Sequence, residues 1–261
     1  MRMLFQLALL IISAPLLAFD HGDWDTLLNR HVSTERGGVA TTVNYGGMAQ
    51  DRDLLKAYLA SLSAVSASQF DNFHRDQQLA FLINAYNAFT VELILLEGQP
   101  ASIRDIGSFF SGPWDKEFFS LLGKPRTLDE LEHEMIRGNP ALMDPRIHFA
   151  VNCASVGCPA LRPEAYTGER LESQLADSTR RFLGDRTRNR FDLDDEALAV
   201  SKIFDWYEED FSRAAGSLSH YLLQYADTLG IPARHRKALE QESLTIQFLP
   251  YDWALNSTTG R

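Results

Sequence analysis

The chain has 261 residues and a formal net charge of −10, with 45% hydrophobic and 11% aromatic residues. The acidic charge argues against non-specific binding to nucleic acid or anionic lipid, because those partners are also negatively charged. The apolar and aromatic content is typical of a folded globular chain rather than a disordered one.

The N-terminus has the order of a secretory signal peptide. Arg2 precedes an apolar run over residues 4–12, and Ser13, Ala14 and Pro15 break this run before Ala18. The run is too short to predict a membrane span. We therefore predict a signal peptide over residues 1–18 and a periplasmic or secreted protein, with an uncleaved amphipathic start as the alternative. The remaining residues, 19–261, are expected to form a single globular domain.

Two helices are predicted in the first half of that domain. Residues 51–65 carry leucines at helical spacing on one face. A second helix is predicted over about residues 74–97, closed by Gly98 and Pro100, and its interior from Leu79 to Leu96 is apolar nearly all round, which predicts a buried central helix. Asn84 and Asn87 interrupt this helix, and a buried amide without partners costs stability. We therefore expect both amides to be hydrogen-bonded, and one of them to line a substrate site.

A third helix is predicted over residues 127–138, with Thr127 and Glu130 in a capping box. At helical spacing, Asp129 and Glu130 share the face of His133, whereas Glu132 does not. These side chains make His133 a candidate base with an acidic neighbour to orient it.

Residues 146–153 are predicted to form a strand that ends at Cys153. Alternation along a strand places His148 on the face opposite Cys153, so His133 is the preferred partner of the thiol. The loop that follows, residues 154–157, is expected to turn backbone N–H groups toward the sulfur, as an oxyanion site requires.

The remaining elements complete an α+β pattern. We predict a helix over residues 168–184, a hairpin over residues 189–201, helical segments over 201–211 and 217–230, and a final strand within 243–256. The fold class is therefore α+β, a helix-rich single domain with a small, mostly antiparallel sheet. A cluster of basic residues is attributed to a solvated helix end: Arg180, Arg181, Arg186, Arg188 and Arg190.

Cys153 and Cys158 are the chain's two cysteines, and three interpretations are open for them. An exported protein meets oxidising conditions, which favours a disulfide. A thiolate near an imidazole would instead be a nucleophile. A metal site is disfavoured by the wide spacing and the lack of a second pair. Motifs of serine hydrolases, nucleotide enzymes and zinc proteases are missing, and no cofactor or metal is predicted.

Four separated segments together resemble one known family. They are FLINAYNAFTV (81–91), LDELEHEMIR (128–137), DPRIHFAVNCASVGCPAL (144–161) and YDWALN (251–256). In this order they resemble domain of unknown function 547, with a core over about 70–200. The C-terminal segment, within 244–256, resembles that of bacterial exported members.

The resemblance carries a set of site residues with it. The family pattern maps onto Asn84, Tyr86, Asn87, Glu132, His133, Arg137 and Cys153. The second cysteine position is often serine in the family, which implies that Cys158 is replaceable and that Cys153 is a free thiol. By analogy alone, a fold related to papain-like or transglutaminase-like thiol enzymes is a further expectation.

Two functions follow from these residues. The first is a cysteine-dependent hydrolase or acyl transferase acting on a peptide or other small-molecule amide. Cys153 would be the nucleophile, His133 the base, and Glu132 or Glu130 its orienting acid. Substrate binding would fall to Asn84, Asn87, Arg137 and Asn152. The alternative is a non-catalytic exported binding module whose polar residues form a structural core. A redox role is disfavoured because the spacing is not C-x-x-C.

Overall fold

The computed structural model describes residues 18–107 and 111–258. The predicted signal peptide therefore lies outside the described residues except for Ala18. The first half begins with helix α1 (Gly22–His31) and an antiparallel pair of strands, β1 (Val32–Glu35) and β2 (Ala40–Val43). Helices α2 (Tyr45–Gln50), α3 (Arg52–Ala64) and α4 (Ala67–Asp71) follow, and α3 confirms the helix predicted over residues 51–65.

Helix α5 (Arg75–Leu96) is the centre of the first half. Every residue from Leu79 to Leu95 is buried, as predicted from its uniform apolarity. Its length and composition would allow it to cross a membrane, but 94% of its most apolar 18-residue stretch is buried inside the protein. The helix ends where Gly98 adopts a positive φ of 74°, a conformation that glycine accepts without strain.

The middle of the chain differs most from expectation. After β3 (Phe119–Leu121) and β4 (Lys124–Arg126), the predicted α-helix is a π-helix over Glu130–Arg137. The strand predicted over residues 146–153 is wrong, because Pro145–Phe149 form a 3-10 helix and residues 150–153 are irregular. The side chain of Asp144 accepts a hydrogen bond from the Arg146 N–H, and proline follows directly. This is a helix-start signal that outweighed the apolar run.

The last part confirms the predicted helices and hairpin. Helix α6 (Leu171–Gly184) precedes β5 (Arg190–Asp192) and β6 (Ala197–Ser201), which pair antiparallel. Strand β7 (Ile246–Leu249) then joins β6 in parallel. Between them lie α7 (Ile203–Trp206), α8 (Glu208–Ala215), α9 (Leu218–Leu223), α10 (Ala226–Leu229) and α11 (Ala233–Glu240).

Two buried clusters of side chains hold these elements together. One surrounds α5 and includes Trp24 and Tyr86. The other lies beneath the C-terminal helices and includes Phe149, Phe182 and Phe211. The chain is thus a helix-rich α+β domain, although the strands within residues 18–107 and 111–258 form three small sheets rather than one.

Candidate functional site

Cys153 and Cys158 form a disulfide, with their Cα atoms 6.1 Å apart. The prediction that Cys153 is a free thiol is therefore wrong for this structure. The sulfurs lie beside Tyr251, whose hydroxyl is 3.1 Å from Cys153 Sγ and donates to Cys158 Sγ at 3.2 Å. Burial raises the pKa of Tyr251, so this hydroxyl keeps its proton.

The loop between the cysteines is closed by the C-terminal segment. The N–H groups of Val156 and Gly157 donate to the carbonyls of Ala254 and Asp252, each at 2.8 Å. The Ala154 N–H donates to the Asn152 side chain at 2.9 Å. Three of the four N–H groups of the predicted oxyanion loop are therefore occupied.

Gly157 permits this close approach of the C-terminal segment. A Cβ atom at this position would lie 2.8 Å from the ring of Tyr251. Any larger residue would push the loop away from Tyr251.

Three asparagines predicted to bind substrate instead fix the backbone. Asn84 donates to the Tyr166 carbonyl and accepts from the Tyr166 N–H, at 2.8 and 3.0 Å. Asn87 donates to the Ala150 carbonyl at 3.0 Å and accepts from the Asn152 N–H at 2.8 Å. Asn152 donates to the Pro159 carbonyl at 2.7 Å. All three are buried, and the expectation that Asn84 and Asn87 are hydrogen-bonded is confirmed.

Arg188 also stabilises the loop between the two cysteines. Its guanidinium pairs with Asp185 and donates to the carbonyl of Cys158. The residue is 9% exposed, so the prediction of a solvated helix end is wrong at this position. A buried arginine of this kind saturates carbonyl groups that would otherwise lack partners.

The π-helix contributes an acid and a base, Glu132 and His133, to the site. The Gly138 N–H donates to the His133 carbonyl five residues earlier, at 2.8 Å, which widens the turn. Glu132 is 5% exposed and accepts from the Tyr207 hydroxyl at 2.7 Å. Its negative charge adds to burial in raising the pKa of Tyr207. Contrary to the helical-face argument, Glu132 and His133 both line the same cavity.

The ring nitrogens of His133 already have neighbours. An Arg137 nitrogen lies 2.6 Å from Nδ1, and because arginine only donates, Nδ1 accepts. The proton of neutral His133 is then on Nε2, 3.5 Å from Asp129. Glu130 instead accepts from the Thr127 N–H at 3.0 Å, while its own N–H donates to the Thr127 hydroxyl. The capping box is confirmed, and in it the Glu130 side chain hydrogen-bonds to Thr127 and not to His133.

His148 was missed because the predicted strand turned it away from the cysteines. In the 3-10 helix it lines the same cavity as Cys153 and is 2% exposed. Its Nε2 is 2.8 Å from Asp210, and its ring stacks on Tyr207 with centroids 3.8 Å apart. Burial lowers the pKa of His148 despite the nearby carboxylate. For Asp210, hydrogen bonds from His148 and Arg137 outweigh burial and lower its pKa well below the usual range.

These residues surround a cavity of about 360 Å³, called here the aromatic cavity. Residues from both buried clusters contribute, so the cavity lies where the clusters meet. Its acidic and histidine lining residues are Asp115, Asp129, Glu132, His133 and His148, and the disulfide forms part of the wall. Six aromatic side chains complete it: Tyr86, Trp114, Trp206, Tyr207, Tyr251 and Trp253.

A second, more open groove of about 620 Å³ lies on the other side of His133. Arg137 pairs there with Asp210, and Arg213 pairs with Glu209. The charged side chains of this groove are thus paired with one another, so it offers fewer free polar groups to a ligand than the aromatic cavity does. Within residues 18–107 and 111–258, no group of three or more histidine, cysteine, aspartate or glutamate side chains is arranged to hold a metal ion.

Residues 70–183 match the family model described as protein of unknown function, DUF547. This segment belongs to the DUF547 family. The matched segment contains α5, the π-helix and the disulfide loop. The aromatic cavity is also lined by Tyr207, Tyr251 and Trp253, which lie beyond the matched segment. No curated protein and no solved structure matches the chain.

Proposed function

We propose that this protein is a binding module that holds a small ligand in the aromatic cavity. The observation that carries the proposal is a concave space of about 360 Å³ walled by six aromatic side chains. Small-molecule sites are typically concave, largely apolar, and furnished with a few polar groups. Trp206 is 43% exposed, so a large aromatic surface is open to solvent.

The disulfide favours binding over thiol catalysis. A nucleophilic cysteine needs a thiolate, and both sulfurs are joined to each other. The bond also agrees with the proposal that residues 1–18 direct the protein to the periplasm or to the outside of the cell, where disulfides persist.

A compound screen tests the binding proposal. We expect at least one small aromatic or heterocyclic compound to raise the thermal unfolding temperature and to change tryptophan fluorescence. Trp206→Leu should remove both responses, because it deletes an aromatic wall of the cavity. Leu193→Ala is the matched control, since Leu193 is 65% exposed and lies outside the lining. Failure of a broad panel to give any ligand would end the proposal, as would equal responses in Trp206→Leu.

A thiol hydrolase or acyl transferase acting on a peptide or other amide is the second candidate. Its supporting observation is that Cys153, Glu132 and His133 line one cavity. The activity would require reduction of the disulfide by a dithiol, which is itself oxidised to a disulfide. Nδ1 of His133 would then have to be released from Arg137 so that this nitrogen can take the proton from Cys153.

Iodoacetamide labelling after reduction tests this candidate. Cys153 should label faster than Cys158 near neutral pH, and His133→Ala should slow labelling of Cys153 alone. Labelling of Cys153 at the same rate in His133→Ala would remove His133 as its base.

A further inference from the structure

The charges around the aromatic cavity have one dominant sign. Asp115, Asp129 and Glu132 line it, whereas no lysine or arginine is among the described lining residues. Arg104 lies over the ring of Trp253, 5.1 Å from its centroid, and adds one positive charge near this wall. Arg137 lies against Tyr207 but is matched by its ion pair with Asp210. An uncompensated negative charge therefore remains at the cavity.

A buried histidine adds an unused hydrogen-bond acceptor. Since Asp210 accepts from Nε2 of His148, that nitrogen carries the proton. Burial favours the neutral ring, which leaves a lone pair on Nδ1. This atom is buried and has no hydrogen-bond partner among the described residues. Buried polar atoms in native proteins normally have a partner, so His148 adds an unsatisfied polar group to the residues that line the cavity.

The aromatic walls supply the third feature. Trp206, Tyr251 and Trp253 form a mutually tilted cluster with ring centroids 4.5–5.6 Å apart. The faces of such rings carry negative electrostatic potential and attract cations, most strongly for tryptophan. One such contact already exists, between Arg104 and Trp253.

We propose that the ligand of the aromatic cavity is a small organic amine, bound as its protonated ammonium form. The ammonium group matches the carboxylates in charge and donates its N–H groups to their oxygens, while its hydrocarbon part packs on the tryptophans. A neutral compound could stack equally well but would leave the negative charge unmatched, and an anion would be repelled. This inference rests on the proposed binding function and names the chemistry of its ligand.

Isothermal titration with four matched probes tests the inference. The probes are benzylammonium, benzyltrimethylammonium, benzyl alcohol and benzoate, which keep the ring and vary the charge and the donors. Benzylammonium should bind at least about tenfold more tightly than benzyl alcohol. Benzyltrimethylammonium should bind more weakly than benzylammonium because it has no N–H group, and benzoate should not bind.

Three variants separate charge from shape. Glu132→Gln keeps an acceptor for Tyr207 but removes the charge, and should weaken benzylammonium at least about tenfold without weakening benzyl alcohol. Because Glu132 is buried, Asp115→Asn at an exposed position provides a second test that spares the core. Glu134→Gln is the control, because Glu134 is an exposed residue of the π-helix that carries Glu132 and does not line the cavity. It should leave the affinity for all four probes unchanged.

Several results would overturn the amine assignment. They are benzyl alcohol or benzoate binding as tightly as benzylammonium, and an unchanged preference for benzylammonium in both Glu132→Gln and Asp115→Asn. If none of the four probes binds but the broad panel yields a ligand, the amine inference fails and the binding function stands. If the panel also yields no ligand, both fail.

Discussion

Replacing Asn87 with alanine should weaken the fold by removing the support of the disulfide loop. The side chain is 2% exposed and spans the gap between α5 and the loop, bonded to the Ala150 carbonyl and the Asn152 N–H. Asn87→Ala leaves both of these backbone groups unpaired. Each buried group without a partner costs about 1–3 kcal/mol, and water entering the vacated space recovers part of this. We expect a loss of about 2–4 kcal/mol in the free energy of unfolding.

Chemical denaturation measures this loss, and Thr90→Val is the matched control. Thr90 lies on the same helix and is 1% exposed, but its hydroxyl has no hydrogen-bond partner among the described residues. Its replacement should therefore leave stability unchanged or slightly higher. Hydrogen exchange should locate the effect of Asn87→Ala, because the Asn152 N–H loses its acceptor. A denaturation midpoint equal to that of Thr90→Val would refute the reasoning.

Three further predictions concern the disulfide, a buried histidine and the helix cap. Replacing both Cys153 and Cys158 with serine should lower the free energy of unfolding by about 2 kcal/mol, because the disulfide restricts a loop of six residues in the unfolded chain. Urea denaturation measures this loss, and an unchanged midpoint would contradict it. Burial lowers the pKa of His21 to about 4. The contribution of neutral His21 to the free energy of unfolding is therefore complete above about pH 6.5. It falls by about 3 kcal/mol as the pH drops toward 4, because over this range the histidine binds a proton in the unfolded chain but not in the folded protein. Denaturation across this range should show a shallower pH dependence for His21→Gln, and parallel curves would exclude His21 as the cause. Thr127→Ala should cost about 1 kcal/mol through loss of the capping box, while ligand binding stays unchanged in titrations.

The sequence determined the elements whose signals are local. The uniform apolarity of residues 79–95 predicts a buried helix because every face must find an apolar neighbour. The Thr127 and Glu130 capping box was also predictable, since both hydrogen bonds form within four residues. Even the burial of Asn84 and Asn87 followed from their place in an apolar helix.

Tertiary structure alone decided which residues meet at the cavity. His148 pairs with Asp210 across 62 positions, and Tyr251 reaches Cys153 across 98. Periodicity states which face of an element is buried but not which distant element covers it. Local patterns were also ambiguous where an apolar run followed Asp144 and Pro145, and the strand interpretation reversed the direction of His148. Glu132 and His133 both line the cavity although neighbouring side chains of a helix project in different directions, so the helical-face argument did not predict this pair.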